Sequence, residues 1–218
     1  CFYYEQFIKI YDILIEYYSK NVNIVYCFFK LIDNSKKKQN PFGLALLGKM
    51  YKEEKHHIIK RDLKKAIKFF AKSANDNCPL GCYYLGKEYY YGRYLYQDYE
   101  KAKELFLKAI KNNDEPRSGY YLYKLMKKKN KDEALKMLKI GVEFECKRAL
   151  FTYSKLSFKG IVIDTIDNQK LIFRACELNN KSAKKFCTLH GIYYRETKNT
   201  VESSMVEEDC FLNEESSM

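Results

Sequence analysis

Histidine and cysteine are the side chains of this sequence best suited to act as nucleophiles, general bases or metal ligands. The chain has 3 histidines and 8 cysteines. His56 and His57 are neighbours beside two glutamates, and Cys187 precedes His190 by three residues, about one helical turn. A structural zinc site needs four ligands, which neither group supplies. The sequence contains no HExxH motif, glycine-rich phosphate loop or GxSxG motif. It therefore predicts a protein that is not an enzyme and that needs no metal or other cofactor.

The cysteines also bear on the compartment in which the protein resides. Their spacing is irregular and contains no CxxC pair. Charged side chains such as Glu5, Lys9 and Asp12 interrupt the apolar core that a secretory leader would need. The longest apolar run, residues 24–29, is far shorter than the roughly 20 residues of a membrane-spanning helix. We therefore expect reduced thiols in an intracellular, cytoplasmic protein without a membrane span.

Charge is distributed unevenly along the chain. Lys and Arg total 40 against 28 Asp and Glu, which gives a net charge of +12. No basic residue follows Lys198, so the preceding chain sets all 40 basic residues against 28 − 6 = 22 acidic ones, a charge of +18. Such a body predicts an anionic partner, although a general enrichment in Lys, Asn and Tyr explains the excess equally well. The six carboxylates of the C-terminal segment are Glu202, Glu207, Glu208, Asp209, Glu214 and Glu215.

The elements that must position these side chains are helical. Only 3 prolines and 9 glycines interrupt the 218 residues, which favours helices over a turn-rich β-sandwich. The 46% of hydrophobic residues is enough to bury a core. In residues 1–36, apolar side chains recur at three- and four-residue steps in two blocks. This spacing predicts an N-terminal helical pair.

The three prolines mark an internal repeat. Pro41, Pro79 and Pro116 begin the similar stretches PFGLALLGKMYK, PLGCYYLGKEYYYG and PRSGYYLYKLMK, and a fourth stretch without proline begins at Lys147. Proline is well tolerated in the first turn of a helix, because the N–H that it lacks has no partner there. A second helical pattern follows each stretch. We expect four helix–loop–helix units and a half unit at 182–187, in which the second helices are capped by Asp62, Asp98, Asn130 and Asp164.

Small and large residues occupy matching positions in these units. Phe70, Phe106, Leu138 and Ile172 are predicted to fill the space between helices. One helix pair cannot bury its apolar face alone, so neighbouring units must stack. The small residues that we expect to allow close helix approach are Gly43, Gly81, Ser118, Ala149 and Ala183.

The stretches LGKMY from Leu47 and LGKEYYYG from Leu85, with DYEKA from Asp98, resemble Sel-1-like repeats, which are relatives of the tetratricopeptide repeat. The third unit departs from the pattern, with Tyr123 in place of the motif glycine and Met126 in place of the tyrosine. The periods of 38 and 37 residues between prolines exceed the 34 of tetratricopeptide arrays. The resemblance covers residues 41–195. It implies an all-α, right-handed α/α superhelix of about four repeats plus a half repeat.

Proteins of this family act as adaptors, so the resemblance implies a protein–protein interaction scaffold that binds a partner protein or acidic peptide on its concave face. The residue two places after the motif leucine is lysine in all four units, and the resemblance places this position in the concave groove. Lysines on helices stacked about 10 Å apart would favour an extended acidic ligand. The predicted partner-binding residues are Lys49, Lys87, Lys124, Lys155, Tyr83, Tyr90, Tyr91, Tyr120, Phe151 and Phe158.

The chain is thus predicted to comprise the helical pair 1–36, the repeat solenoid 41–195 and an acidic disordered tail 196–218. Residues 202–218 are a candidate intramolecular ligand of the lysine groove, and a solvated tail is the alternative. Two other functions stay open. Lysine runs and abundant tyrosines suit a nucleic-acid-binding helical protein. Because residue 1 is not methionine, the chain also fits a regulatory module of a larger, enzyme-containing protein.

Overall fold

The computed structural model describes residues 40–53, 60–111, 114–162 and 167–193. Within these ranges the chain forms nine α-helices and no β-strand. The helices are α1 (Pro41–Lys52), α2 (Leu63–Asn75), α3 (Pro79–Tyr91), α4 (Tyr99–Ile110), α5 (Ser118–Met126), α6 (Lys131–Glu143), α7 (Lys147–Phe158), α8 (Asn168–Glu177) and α9 (Lys181–Leu189). Each helix packs against the next, and α1 also contacts α3 as α5 contacts α7.

This order of contacts is that of an α/α solenoid, which confirms the predicted all-α fold class. We call α1, α3, α5, α7 and α9 the A helices and α2, α4, α6 and α8 the B helices. The surface that the A helices form together is the A-helix face. The predicted N-terminal pair 1–36 and the tail 196–218 lie outside the described residues, so the division into three segments stays a prediction.

Prolines start the first two units as the sequence predicts. Pro41 and Pro79 occupy the first turn of α1 and α3, and the Asn40 side chain accepts a hydrogen bond from the Gly43 N–H at 3.1 Å. The third unit differs, because α5 begins at Ser118. Pro116 there lies in a turn before the helix, where its carbonyl accepts a hydrogen bond from the Gly119 N–H at 3.0 Å.

Side-chain caps begin the B helices. Asp62, Asp98 and Asn130 each accept a hydrogen bond from the backbone N–H three residues later, at 2.9, 2.9 and 3.2 Å, which confirms these three caps. The predicted cap of α8 was wrong. Asp167 caps this helix by accepting from the Gln169 N–H at 2.9 Å, because α8 begins at Asn168. Asp164 lies outside the described residues.

Close packing between A and B helices explains the motif glycines. A Cβ atom on Gly48 would lie 2.6 Å from Cδ1 of Phe70, and one on Gly86 would lie 2.9 Å from Cε1 of Phe106. Both rings are fully buried, so neither side can yield without opening a gap in the core. In the third unit, where Tyr123 replaces the glycine, the B helix carries the smaller Leu138 at the phenylalanine position.

Small residues also allow helices to approach, as predicted for Gly81, whereas in the third unit a close contact lies at Gly119, next to the predicted Ser118. A Cβ atom on Gly81 would collide with the Ser73 side chain of α2, and one on Gly119 would collide with the Met137 carbonyl oxygen of α6. Ala149 and Ala183 are likewise fully buried on α7 and α9. These contacts fix how closely each A helix lies on its B helices, and hence the spacing of side chains on the A-helix face.

Candidate partner-binding surface

The ten predicted partner-binding residues all lie on A helices, but their exposure differs. Lys155 and Phe158 of α7 are exposed, with Phe158 at 56%. The side chains of Lys49 and Lys87 lie mostly beneath the surface, and both residues are less than a tenth exposed. Tyr83 is fully buried. Half-buried residues complete the set: Tyr90, Tyr91, Tyr120, Lys124 and Phe151. Their role in partner binding stays a prediction.

One of the predicted lysines, Lys87, lies near an ion pair between α1 and α3. The Lys52 ammonium contacts the buried Glu88 carboxylate at 2.7 Å, and the Lys87 ammonium lies 5.3 Å from the centre of the Tyr83 ring. Burial lowers the pKa of Lys52, and the nearby positive charge of Lys87 lowers it further against the opposing effect of Glu88. Lys87 therefore lies close enough to the Lys52–Glu88 ion pair to act on the ionisation of Lys52.

Arg148 connects three A helices. Its Nη1 atom, on α7, donates hydrogen bonds to the hydroxyl of Tyr121 on α5 at 2.8 Å and to the hydroxyl of Tyr91 on α3 at 3.3 Å. The two hydroxyl oxygens lie 3.4 Å apart. The guanidinium also lies over the Tyr120 ring, 5.5 Å from its centre. We call Arg148, Tyr91 and Tyr121 the Arg–Tyr triad.

The electrostatic environment of the triad is dominated by positive charge. Burial raises the pKa of the Tyr91 hydroxyl, but the charge of Arg148, hydrogen bonds from Tyr121 and Arg148, and the charge of Lys87 lower it, and the net shift is downward. The Arg93 guanidinium adds a further cation 4.9 Å from the centre of the Tyr91 ring. This surface thus stabilises negative charge.

A second arginine occupies the matching place one unit earlier. Arg117 donates two hydrogen bonds of 2.6 Å to the buried Glu115 carboxylate and lies 4.5 Å from the centre of the Tyr83 ring. Burial disfavours its charged form, but Glu115 outweighs this and raises the pKa of Arg117. Each arginine immediately precedes the small residue of its unit, Ser118 or Ala149.

Sequence reasoning missed the residues that organise this surface. The shared register of the two arginines was the signal that could have found them, since arginine is rare in the chain. No comparable signal marks the others, because their partners lie in different units. The missed residues are Lys52, Glu88, Arg117, Tyr121, Arg148 and Phe186.

Phe186 belongs to an aromatic cluster at the C-terminal end of the described solenoid. Its ring, on α9, lies 6.0 Å from Phe151 and 5.5 Å from Phe158, both on α7. The His190 ring lies 4.2 Å from Phe186. The same arrangement, in which one ring contacts two rings of the preceding A helix, recurs two units earlier. There Tyr121 lies 6.0 Å from Tyr83 and 5.3 Å from Tyr90. The structure therefore brings together four of the predicted aromatic residues in two similar clusters.

The cysteine and histidine side chains do not form a metal site in the described part of the chain. No group of three or more His, Cys, Asp or Glu residues there could hold a metal ion. Cys187 contacts the buried Cys176, with 3.7 Å between the sulfur atoms, and His56 and His57 lie outside the described ranges. Among the described helices, none combines the length and apolar character needed to cross a membrane. That the protein is cytoplasmic and not an enzyme stays a prediction.

The stacked helix pairs and their continuous A-helix face define a helical-repeat protein of the α-solenoid class. The Sel1 repeat family matches residues 41–78 and 79–114, so the two units that carry the glycine–phenylalanine contacts are Sel1 repeats. This match confirms the predicted Sel-1-like repeat protein. No curated protein matches the chain in sequence.

The solved structures that are similar in fold include the following two. One is a protective antigen of uropathogenic Escherichia coli strains that displays an SLR fold, with a TM-score of 0.61, 18% identity and coverage of 76% of this chain. This chain spans only 36% of that protein. The other is a Sel1 repeat protein from Oxalobacter formigenes, with a TM-score of 0.59, 22% identity and coverage of 77% of this chain and 73% of that one. Both likenesses concern the fold.

Proposed function

We propose that the chain is a protein-interaction scaffold that binds an acidic segment of a partner protein on its A-helix face. Sel1 repeat proteins are in general protein-interaction scaffolds, which supports the class of function. The acidic character of the ligand is inferred from Arg148 of α7, which extends across α5 and donates a hydrogen bond to the Tyr91 hydroxyl of α3. Three A helices thereby contribute to one cationic, phenol-rich surface.

The residue types on this surface suit a protein partner. Tyrosine and arginine are the usual anchors of protein interfaces, because they combine a large apolar area with directional hydrogen bonds. Exposed Lys155 and half-buried Lys124 extend the positive charge along α7 and α5. Positive charge on successive helices raises the rate of encounter with an acidic segment and fixes its orientation.

A charge-reversal experiment tests this function. We expect the double variant Lys124→Glu with Lys155→Glu to weaken binding of a fluorescein-labelled hexaglutamate peptide by about tenfold, measured by fluorescence anisotropy. The matched control is Lys136→Glu with Lys170→Glu, which reverses two exposed lysines on the B helices α6 and α8. Equal weakening in both variants would show that net charge alone attracts the peptide and would reject the A-helix face as the binding surface.

Nucleic acid is the competing anionic partner. A labelled oligothymidylate that binds the same face should lose affinity steeply as salt is raised, because counterions are released from its phosphates. If it displaces hexaglutamate and binds more tightly at physiological salt, the assignment to an acidic protein segment is wrong.

We further propose that the acidic segment 202–218 competes for the same face. Its support is charge complementarity, since six carboxylates follow a basic body. Deletion of residues 199–218 is expected to tighten hexaglutamate binding, because the competing carboxylates are removed. Unchanged affinity after the deletion would contradict the intramolecular contact and would leave the scaffold function intact.

A further inference from the structure

We propose that an apolar patch formed by α7 and α9 is the docking site for Phe211 and Leu212 of the acidic segment 202–218 of the same chain. This inference rests on the proposed function, in which that segment competes for the A-helix face, and it names the contact through which the segment is held there. We define the α7–α9 patch as the side chains of Phe158, Phe186, Leu189 and His190.

The patch is a continuous surface of aromatic and aliphatic side chains. The Phe158 ring of α7 lies 5.5 Å from the Phe186 ring of α9 and 5.3 Å from the His190 ring, and the last two rings are 4.2 Å apart. Leu189 follows Phe186 by three residues and therefore lies beside it on the same face of α9. Two helices thus contribute neighbouring side chains to one patch.

Much of this apolar surface is open to solvent. Phe158 is 56% exposed and Leu189 is 71% exposed. Each earlier A helix packs against the B helix that follows it, whereas no helix follows α9 in the described residues. A contiguous apolar patch on a surface is typical of an interaction site, because a ligand that covers it removes apolar area from water.

Lysines border the patch, and its two helices carry no carboxylate. Lys155 lies between Phe151 and Phe158 on one face of α7, four residues after the first and three before the second. Lys185 precedes Leu189 by four residues, about one turn of α9, and both lysines are exposed. Neither α7 nor α9 contains an aspartate or a glutamate. The patch therefore presents an apolar centre with a cationic border.

The acidic segment has the complementary pattern. Phe211 and Leu212 are adjacent in the stretch EEDCFLNEE, residues 207–215, with three carboxylates before them and two after them. The apolar pair can cover the patch while the flanking carboxylates lie near Lys155 and Lys185. Carboxylates alone would be attracted to many positions of a basic body, whereas the apolar pair selects the place where lysines border exposed apolar surface.

The segment is attached close enough to reach the patch. Phe211 follows Tyr193, the last described residue, by 18 residues, which can span at most about 60 Å. Phe186 precedes Tyr193 by seven residues, so it lies within about 25 Å of the attachment point. A tether of this kind holds a ligand at an effective concentration of about 1 mM, so a weak contact is enough to occupy the patch.

Tryptophan fluorescence tests the docking in the full chain, which has no tryptophan of its own. We expect Phe211→Trp to emit at a shorter wavelength than a free peptide of residues 202–218 with the same substitution, because docking removes the indole from water. Adding Leu189→Glu should return the emission to that of the free peptide. The matched control is Leu107→Glu, which makes the same exchange at an exposed position of the B helix α4 and should leave the emission unchanged.

Three results would overturn the proposal. Phe211→Trp could emit like the free peptide, or its emission could be insensitive to Leu189→Glu, which would place Phe211 elsewhere. A wavelength shift that disappears on dilution would show that the segment reaches a second copy of the chain. Circular dichroism establishes that each variant is folded. Should Leu189→Glu disturb α9, Phe158→Ser decides the outcome, because Phe158 lies on α7 and is more than half exposed.

Hexaglutamate binding isolates the contribution of the apolar pair. The variant Phe211→Ser with Leu212→Ser keeps all six carboxylates of the segment. We expect it to bind hexaglutamate about threefold more tightly than the wild type, as for a face that the segment leaves free about a third of the time. The matched control is Met205→Ser with Val206→Ser, which removes another adjacent apolar pair of the same segment and should leave the affinity unchanged.

The two experiments distinguish failure of the inference from failure of the proposed function. If deletion of residues 199–218 tightens hexaglutamate binding and the Phe211→Ser, Leu212→Ser variant does not, the carboxylates alone hold the segment. The contact with the patch is then wrong while the proposed competition stands. If the folded wild-type chain does not bind hexaglutamate at all, the proposed function is rejected, whereas the tryptophan emission still decides whether Phe211 docks on the patch.

Discussion

Two aromatic clusters in this solenoid share a packing register but differ in chemistry. In the central cluster, Tyr83 and Tyr90 of α3 flank Tyr121 of α5 at 6.0 and 5.3 Å. In the C-terminal cluster, three phenylalanines repeat the arrangement at 6.0 and 5.5 Å on α7 and α9. The difference is one hydroxyl per ring, and within the described ranges an arginine is hydrogen-bonded to the central cluster alone.

The physical consequence lies in what a buried hydroxyl requires. Tyr121 is 1% exposed, so its oxygen needs a hydrogen-bond partner inside the protein, and Arg148 supplies it at 2.8 Å. Phe186 has no such requirement and packs against His190 and the exposed Phe158. Tyrosine in this register therefore brings a cation to the A-helix face, whereas phenylalanine makes an apolar contact only.

Truncation of the central ring of each cluster should give the largest difference between them. We expect Tyr121→Ala to lower the free energy of unfolding by about 3–5 kcal/mol, because the ring is buried and stacks on Phe106 with 4.8 Å between centres. Phe186→Ala should cost about 1–2 kcal/mol, since Phe186 is only half-buried. Chemical denaturation measures both. Equal losses would mean that the C-terminal cluster is as tightly packed as the central one.

Exchange of the hydroxyl group isolates the chemical difference. Tyr121→Phe should lower the free energy of unfolding by about 1–2 kcal/mol, because it leaves the Arg148 guanidinium without its shortest phenol acceptor. Phe186→Tyr adds a hydroxyl at a half-buried position and should change stability by less than about 0.5 kcal/mol. If Tyr121→Phe leaves the free energy of unfolding unchanged, the hydrogen bond to Arg148 contributes nothing to the stability of the fold.

Removal of helix caps should affect both regions alike. Asp98→Ala in the central region and Asp167→Ala in the C-terminal region each remove the acceptor of a 2.9 Å bond from a backbone N–H in the first turn of a B helix. We expect a similar fall of a few degrees in melting temperature for both, followed by circular dichroism. A much larger fall for one would place the difference between the regions in the helical framework rather than in the aromatic clusters.

The smallest expected effect is a dependence of stability on alkaline pH, which arises at Tyr91, beside Tyr121 of the central cluster. The pKa of Tyr91 is lowered in the folded chain, so the folded state releases its proton at lower pH than the unfolded chain, whose tyrosines titrate near pH 10. The stabilising contribution of Tyr91 therefore grows as pH rises through the folded pKa, is complete above about 10, and is lost as pH falls.

Denaturation of the wild type and Tyr91→Phe across the alkaline range measures this contribution. We expect the difference in unfolding free energy between the two proteins to rise in favour of the wild type as pH approaches 10. The rise should shrink when both proteins also carry Arg148→Gln, because Arg148 supplies the largest of the charges that lower the pKa of Tyr91. A constant difference in both backgrounds would contradict the positive field around the triad.

Sequence reasoning was most successful where the determining contacts are local or repeat with the unit. Asp62, Asp98 and Asn130 could be identified as caps because each side chain acts on a backbone group three residues away. It was wrong at Asp164, because two acidic residues, Asp164 and Asp167, precede α8 and the helical pattern did not decide between them. The motif glycines were found as well, because each belongs to a stretch that recurs in the first two units, and each accommodates a phenylalanine of its own repeat.

The candidate site was predicted only in part. The shared register of the four lysines assigned them to the first helix of each unit, which is where the structure has them, but it treated Lys49, Lys87 and Tyr83 as groove-lining residues, whereas the structure buries most of each. Helical periodicity distinguishes one face of a helix from another. It does not reveal how deeply a side chain lies once the next repeat covers it, because that depth depends on the distance and angle between stacked helices.

By itself, the sequence determined that the chain is a Sel-1-like solenoid, where its first two units start and which residues cap three of its B helices. These features follow from interactions within one unit, and the repeat displays each of them several times. Only the tertiary structure decided that Arg148 meets Tyr121 and Tyr91, which are 27 and 57 residues away in the chain. Such contacts form between different units, and the stacking of the A helices, which no single repeat encodes, brings the three side chains together.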